Sequence, residues 1–356
     1  MKTTKNKISV SSKTLLFCIS VVLFSLNGFS QLGGSSSYQF LDLANSSRIQ
    51  GLGGSNISIY DKDVNLTISN PALLDSVQSG SIAINYLNYI SDINYGFTSY
   101  THHVDNVGTF NAAFMYANYG SFTRADETGN KTGTFVANDL AVLVGYGKRI
   151  DSLFSIGGNL KFMNSIYDVY SSNGMAIDLA GNFHKPSKLF SASVVVKNIG
   201  FAFSKYVEKE KLPFEIQAGL TKKLKHAPIR FSLTLTNLQK WDLTYDDPNA
   251  EKEFDPNTFQ ELPPQEPNVF NKAMRHVVIG TEFVLGKNFN IQVGYNFRRR
   301  AELKFAPKSG LVGFSGGIAF KIKKFNLNYS LASYHLAGAS HSFAITTNLN
   351  NLRTKN

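Results

Sequence analysis

From Gly80 to Leu349 the chain alternates large apolar with small polar residues in about fourteen segments, and the connections between those segments alternate short and long. In Phe289 to Phe297 the residues Phe289, Ile291, Val293, Tyr295 and Phe297 fall on one face, with Asn290, Gln292, Gly294 and Asn296 on the other. The same split recurs with Ile229, Phe231, Leu233 and Leu235 against Arg230, Ser232, Thr234 and Thr236. A period of two is a strand signal; a helix would scatter these residues around its circumference. Bilayer hydrocarbon offers no partner to an open sheet edge, so a chain with one apolar face on every strand closes into a barrel.

The predicted strands begin near Gly80, Asp92, Gly108, Ala137, Phe154, Asn173, Leu189, Leu212, Pro228, Arg275, Asn288, Gly313, Lys324 and Ser340. At roughly eleven residues, about 3.3 Å per residue and a tilt near 45°, each crosses a hydrocarbon layer of about 25 Å. With the N-terminal segment placed in the periplasm, every second connection turns there: His103 to Val107, Asp151 to Leu153, Lys185 to Lys188, Lys225 to Ala227, Gly286 to Lys287 and Lys323 to Lys324. All are short. The longer connections, Ser121 to Val136, Gly200 to Lys211, Gln239 to Met274 and Arg299 to Val312, fall on the cell surface. A soluble sandwich also alternates, but it seldom sorts loop lengths by side.

The chain opens with Lys2, Lys5, Lys7 and Lys13, then an apolar run from Leu15 to Phe24 and the small residues around Ser30, which reads as a secretory signal over residues 1–30. The run is too short to span a bilayer as a helix. The single cysteine, Cys18, lies inside it, so thiol catalysis, disulfides and thiolate metal sites leave with the signal. The formal charge of +11 falls to about +7 once the four signal lysines go, a surplus that does not imply nucleic acid. A mean hydropathy of -0.12 fits a barrel, whose lumen-facing half is polar, and 28 Phe, 16 Tyr and 28 Gly suit its faces and close approaches.

Residues 31–79 do not read as strand. They hold Phe40-Leu41-Asp42-Leu43, Arg48 followed by Gly51-Leu52-Gly53-Gly54, then Asp63, and Asn70-Pro71-Ala72-Leu73-Leu74. The glycines permit conformations or close approaches closed to other residues, and Asn70-Pro71 favours a turn that starts a helical turn at Ala72. This pattern resembles the start of the PorV and PorQ barrel proteins of the type IX secretion system, relatives of the FadL transporters of hydrophobic compounds, and is closer to PorQ. The resemblance implies an all-β, fourteen-stranded antiparallel transmembrane β-barrel of the outer membrane, FadL-like, over residues 80–356, with residues 31–79 as a hatch or plug. Phe40, Leu41, Arg48, Gly51, Gly53, Gly54, Asn70 and Pro71 are its hatch positions. It also implies a non-enzymatic anchor for a surface partner of PorZ type, among other subunits of a complex that attaches cargo to lipopolysaccharide. The alternative is a FadL-like transporter of hydrophobic small molecules, with Phe40, Leu41, Met115 and Tyr119 lining a small pocket.

Motifs of other chemistries fail on context. Gly313-Phe-Ser315-Gly-Gly317 matches a nucleophile elbow, but the alternation runs through it as a strand, so Ser315 is a small lumen residue and no catalytic residue is assigned. Asp61, Asp63 and Asn65 imitate a calcium loop, yet Leu66 and Ala72 stand where glycine and a bidentate glutamate belong, which leaves capping roles. His102 and His103, adjacent on a strand, point to opposite faces; His184, His226 and His276 fall near strand ends, where solvated imidazoles are expected. No metal or cofactor is expected. The connection over residues 239–274 concentrates acids and aromatics, among them Trp241, Tyr245, Asp246, Asp247, Glu253, Phe254 and Phe259, a composition suited to a protein interface. Arg298, Arg299 and Arg300 on the next outer connection are candidates to grip lipopolysaccharide phosphates. The remaining basic residues mark the periplasmic turns and read as solvated.

Overall fold

The computed structural model describes residues 36–90, 92–203, 211–244, 267–303, 310–335 and 338–353. The expected signal over residues 1–30, and Tyr245, Asp246, Asp247, Glu253, Phe254 and Phe259, lie outside the described residues.

The alternating segments form β1 (Ser81–Asn88), β2 (Asn94–Val104), β3 (Gly108–Ala125), β4 (Lys131–Arg149), β5 (Phe154–Tyr167), β6 (Tyr170–Lys185) and β7 (Phe190–Ala202). They continue as β8 (Glu215–Lys223), β9 (Ile229–Leu235), β10 (Val277–Val284), β11 (Phe289–Asn296), β12 (Phe314–Ile322), β13 (Phe325–His335) and β14 (Gly338–Asn348). Each strand pairs antiparallel with its sequence neighbours, and β1 pairs with β14 from Ser81↔Asn348 to Asn88↔His341, closing the barrel. Closure removes every edge within the hydrocarbon. The apolar parity faces outward, as with Ile156, Leu160 and Phe162 on β5, all exposed, while Ser155, Asn159 and Lys161 on the opposite parity are buried.

Strand lengths depart from the uniform expectation. β9 has 7 residues and β4 has 19. Ser121 to Val136, expected as a surface connection, is mostly the continuation of β3 and β4: after a shift in register between Asn118 and Ser121 the two strands stay paired to Ala125↔Lys131. The aromatic pair Phe122 and Phe135, stacked at 5.3 Å, supports this ribbon beyond the barrel wall. Arg299 to Val312 likewise begins inside the helix Phe297–Leu303 rather than as an open loop.

Residues 36–80 fold inside the barrel. They form short helical turns and the helix Ser47–Gly51, capped by the Ser46 side chain, around a small apolar core of Ile49, Leu52, Ile59, Leu66 and Leu73. The segment lies in the lumen along its length, the position expected of a hatch or plug. Ser37 donates its N–H to the carbonyl of Lys211, on the connection into β8 at the surface end, and the chain descends to enter β1 at the opposite end. Loop parity survives because the wall is still entered from the short-turn side.

Candidate functional site

The plug meets the wall through two kinds of contact. The first is a group of charges around Arg48, which is only 7% exposed. Its Nε donates to Glu282 Oε1 of β10 at 2.7 Å and Nη2 to Glu282 Oε2 at 3.0 Å; Nη2 also reaches Asp61 Oδ2 at 2.8 Å, and Nη1 reaches Asp63 Oδ2 at 3.0 Å. Arg230 of β9 completes the set, donating to Glu282 Oε2 at 2.8 Å and Asp61 Oδ2 at 3.0 Å. Burial opposes ionisation of Asp61, but Arg48 and Arg230 outweigh it and hold this carboxyl well below the ordinary range. Asp63 also caps a helical turn by accepting from Asn65 N, so the calcium-like residues serve as caps and counter-ions.

Around that group the helix Ser47–Gly51 is bonded strand by strand. Ser47 Oγ donates to Ser330 Oγ of β13 at 3.1 Å, and Gln50 Nε2 donates to Ser340 Oγ of β14 at 3.1 Å. Ser315 Oγ of β12, the residue of the false nucleophile elbow, donates to Gly51 O at 3.1 Å and accepts from Gly53 N at 2.9 Å. Gly53 adopts φ +100, and a Cβ on the facing Gly294 would lie 2.1 Å from Gly53 N, so plug and wall backbones touch where only hydrogen fits between them. Asn70 accepts from Ala72 N and donates to Ile57 O at 2.6 Å. Pro71 starts the helical turn after it and packs on Gly157, where a Cβ would lie 2.4 Å from Pro71 C. At the exit of the plug, Tyr60 OH donates to Asp75, Arg149 donates to both, and His184 stacks on Tyr60 at 4.3 Å.

The second kind of contact is apolar, and here the expectation of a polar lumen fails. Tyr38, Phe40 and Ile68 of the plug pack against Leu87, Tyr95, Phe97, Met115, Leu143 and Met163, which point inward from β1 to β5. Above them a cavity of about 430 Å³ opens, bringing together Phe40, Leu41, Met115 and Tyr119 as anticipated, with Asp42, Lys161, Lys197, Glu215 and Arg298 adding charge. Tyr119 is fixed by donating to Asp139 Oδ2 at 2.5 Å.

The three arginines of the next outer connection do not form one patch. Arg299 turns inward, its guanidinium 3.9 Å over the Tyr334 ring, so its placement departs from a lipopolysaccharide-facing one. The reason is local: Asn296 caps the helix start through Arg299 N and rotates this side chain over the lumen, against Gly54. Arg298 pairs with Glu302 at 2.7 Å, and Arg300 donates to the carbonyls of Gly310 and Val312. Trp241 is exposed and stacks on His276 at 6.0 Å; His276 is buried rather than solvated, its ring nitrogens 2.7 Å from Thr236 O and 3.0 Å from Trp241 O. Glu282, Asp139 and the pair Lys161–Asp178 at 2.8 Å were missed in the sequence, as were the partners of Arg230. Their one signal was a charge on the lumen parity of a strand.

No family model matches the chain, and no curated protein matches it. Among solved structures it is similar to the CymD monoaromatic hydrocarbon channel, at 11% identity over 85% of this chain and 97% of that one, with a TM-score of 0.50. It is also similar to a Pseudomonas aeruginosa FadL homologue (8% identity, 85% and 98% covered, TM-score 0.49) and to the Pseudomonas putida toluene transporter TodX (11%, 85% and 96%, 0.47). The likeness is one of fold. A closed fourteen-stranded antiparallel barrel with an apolar outer face defines an integral β-barrel of the outer membrane.

Proposed function

We propose that this chain is a non-enzymatic outer-membrane anchor: a barrel with a fixed plug that holds a surface protein, in the place the resemblance to PorQ implies within type IX secretion, with a partner of PorZ type. The observation that carries this is the attachment of the plug, whose charged, polar and backbone groups are bonded to β9, β10, β12, β13 and β14. A gate that opens with each passing molecule would have to part Arg48 of the plug from Glu282 of β10 and Asp61 of the plug from Arg230 of β9, and an uncompensated buried charge costs several kcal/mol. A sealed barrel offers a rigid base for a surface subunit. Purifying the tagged protein in mild detergent tests this: the anchor predicts one stoichiometric surface partner, and its absence in every mild detergent counts against it. Deleting Tyr245 to Pro267 then tests the acidic connection, since a fully retained partner removes that segment from the interface.

The outer cavity favours a second reading, a FadL-like transporter of hydrophobic small molecules, because Phe40, Leu41 and Met115 line it beneath an open mouth. Saturable binding of a fatty acid or an aromatic hydrocarbon, lost in Phe40→Ala, supports that reading.

A further inference from the structure

We infer that the periplasmic face of the barrel is a docking surface for an acidic periplasmic protein. This surface lies at the opposite end from the proposed anchor and does not depend on that reading.

Basic residues gather on successive turns at this end. Lys185 and Lys188 flank the β6–β7 turn, Lys222 and Lys225 the β8–β9 turn, and Lys287 the β10–β11 turn; all are exposed. Lys321 and Lys323 continue the series at the β12–β13 turn. The described acids at this end are few and mostly engaged. Asp75 pairs with Arg149, Asp151 accepts from Leu153 N and Phe154 N, and Asp61 and Asp63 are held by Arg48, Arg230 or both; Asp105 on the β2–β3 turn is exposed, 3.6 Å from His103. The surface end differs: Arg124 pairs with Asp168, Lys272 with Asp242 and Arg298 with Glu302, so the described charges there are largely balanced. Clustered like charges repel one another, and an acidic partner relieves that cost.

The mouth of the barrel decides what kind of partner fits. A cavity of about 290 Å³ opens between the plug and β9 to β14, with exposed Lys62, Lys287 and Lys321 around it. Lys321 has the lumen parity of Ser315 and Ala319, and Lys62 belongs to the plug, so both lie inside the ring of strands. Lipid headgroups surround the wall from outside and can meet Lys222 but not these two. The basic surface therefore crosses the mouth, and what covers a mouth is a protein seated on the barrel end. The amides of Asn288 and Asn326 beside the lysines add donors and acceptors for carboxylates and peptide groups.

The test uses the full mature protein in nanodiscs of phosphatidylcholine, with an oligoglutamate peptide as the probe. We expect saturable binding that weakens with salt. The mouth variant Lys62→Glu, Lys287→Glu, Lys321→Glu should cut affinity about tenfold or more, and the rim variant Lys185→Glu, Lys188→Glu, Lys225→Glu should cut it less. In cells, a photo-crosslinking residue at position 287 should capture one protein, identified as acidic by mass spectrometry, and the adduct should vanish when Lys62 and Lys321 are reversed. Unchanged oligoglutamate binding by the mouth variant overturns the inference. So does binding that requires phosphatidylglycerol in the disc, or crosslinks confined to lipid or peptidoglycan. If the triple variant does not assemble, Lys321→Gln alone should still lower affinity, and no change there also overturns it.

Discussion

The two halves of the lumen wall hold the same plug by different physics. From β9 to β14 the inward residues include Ser232, Glu282, Gln292, Ser315, Ser330 and Ser342 beside Val278 and Ala332, and the plug answers with directional bonds from Ser47, Arg48, Gln50 and Gly53. From β1 to β5 they include Leu87, Phe97, Met115, Leu143 and Met163, against which Phe40 packs without a directional bond, while Asn85, Ser155 and Asn159 on this side donate to Asn65, Ala72 and Ile68 lower in the plug. Directional bonds fix one position and are costly to leave unmade, whereas apolar packing tolerates shifts if volume is kept. The polar half thus locates the plug, and the apolar half leaves space for the outer cavity beside Phe40.

Breaking the polar half should have the largest effect. Glu282→Ala leaves Arg48 and Arg230 short of a buried counter-ion and should cost about 3–5 kcal/mol of plug docking. Hydrogen exchange of the Ser47 to Gly54 amides should rise to match, with the barrel strands unchanged. Phe40→Ala, in the apolar half, should cost about 3 kcal/mol, with faster exchange limited to Tyr38 to Leu43. Release of the whole plug by this change would mean that the two halves are not separable. Ser315→Ala removes one pin between β12 and the glycine turn and should cost about 1 kcal/mol by the same measurement. Acid should do least. The Asp61 carboxyl is depressed in the folded protein, so its contribution is complete above the ordinary value of about 4 and is lost only as pH falls towards its folded value. Protection of Ser47 to Gly54 should therefore be the same at about pH 8 and about pH 5.

The barrel was legible because membrane strands must repeat one rule, and fourteen starts read from alternation match the fourteen strands in order. The ends were less legible. Above the membrane β3 and β4 are held by their own pairing and the Phe122–Phe135 stack, so Ser121 to Val136 lacks the apolar-out rule and reads as loop. Within the plug, Arg48 and the glycines were marked, but their partners were not. Alternation assigns Glu282 to the lumen side without saying which plug residue sits opposite. The apolar inner wall was missed because Ala113, Met115 and Ala117 occupy the parity assumed polar from other strands. The inward turn of Arg299 depends on a cap from Asn296, which a three-arginine run does not reveal.

The most direct test of the fixed plug is a lock. Ser47 Oγ and Ser330 Oγ lie 3.1 Å apart, and the only cysteine of the chain is Cys18, so Ser47→Cys with Ser330→Cys adds one disulfide between plug and wall. Partner retention and cargo attachment are then compared in oxidised and reduced cells. The anchor predicts that the oxidised protein works as well as the reduced one; loss of function on oxidation, restored by reduction, would show that the plug must move.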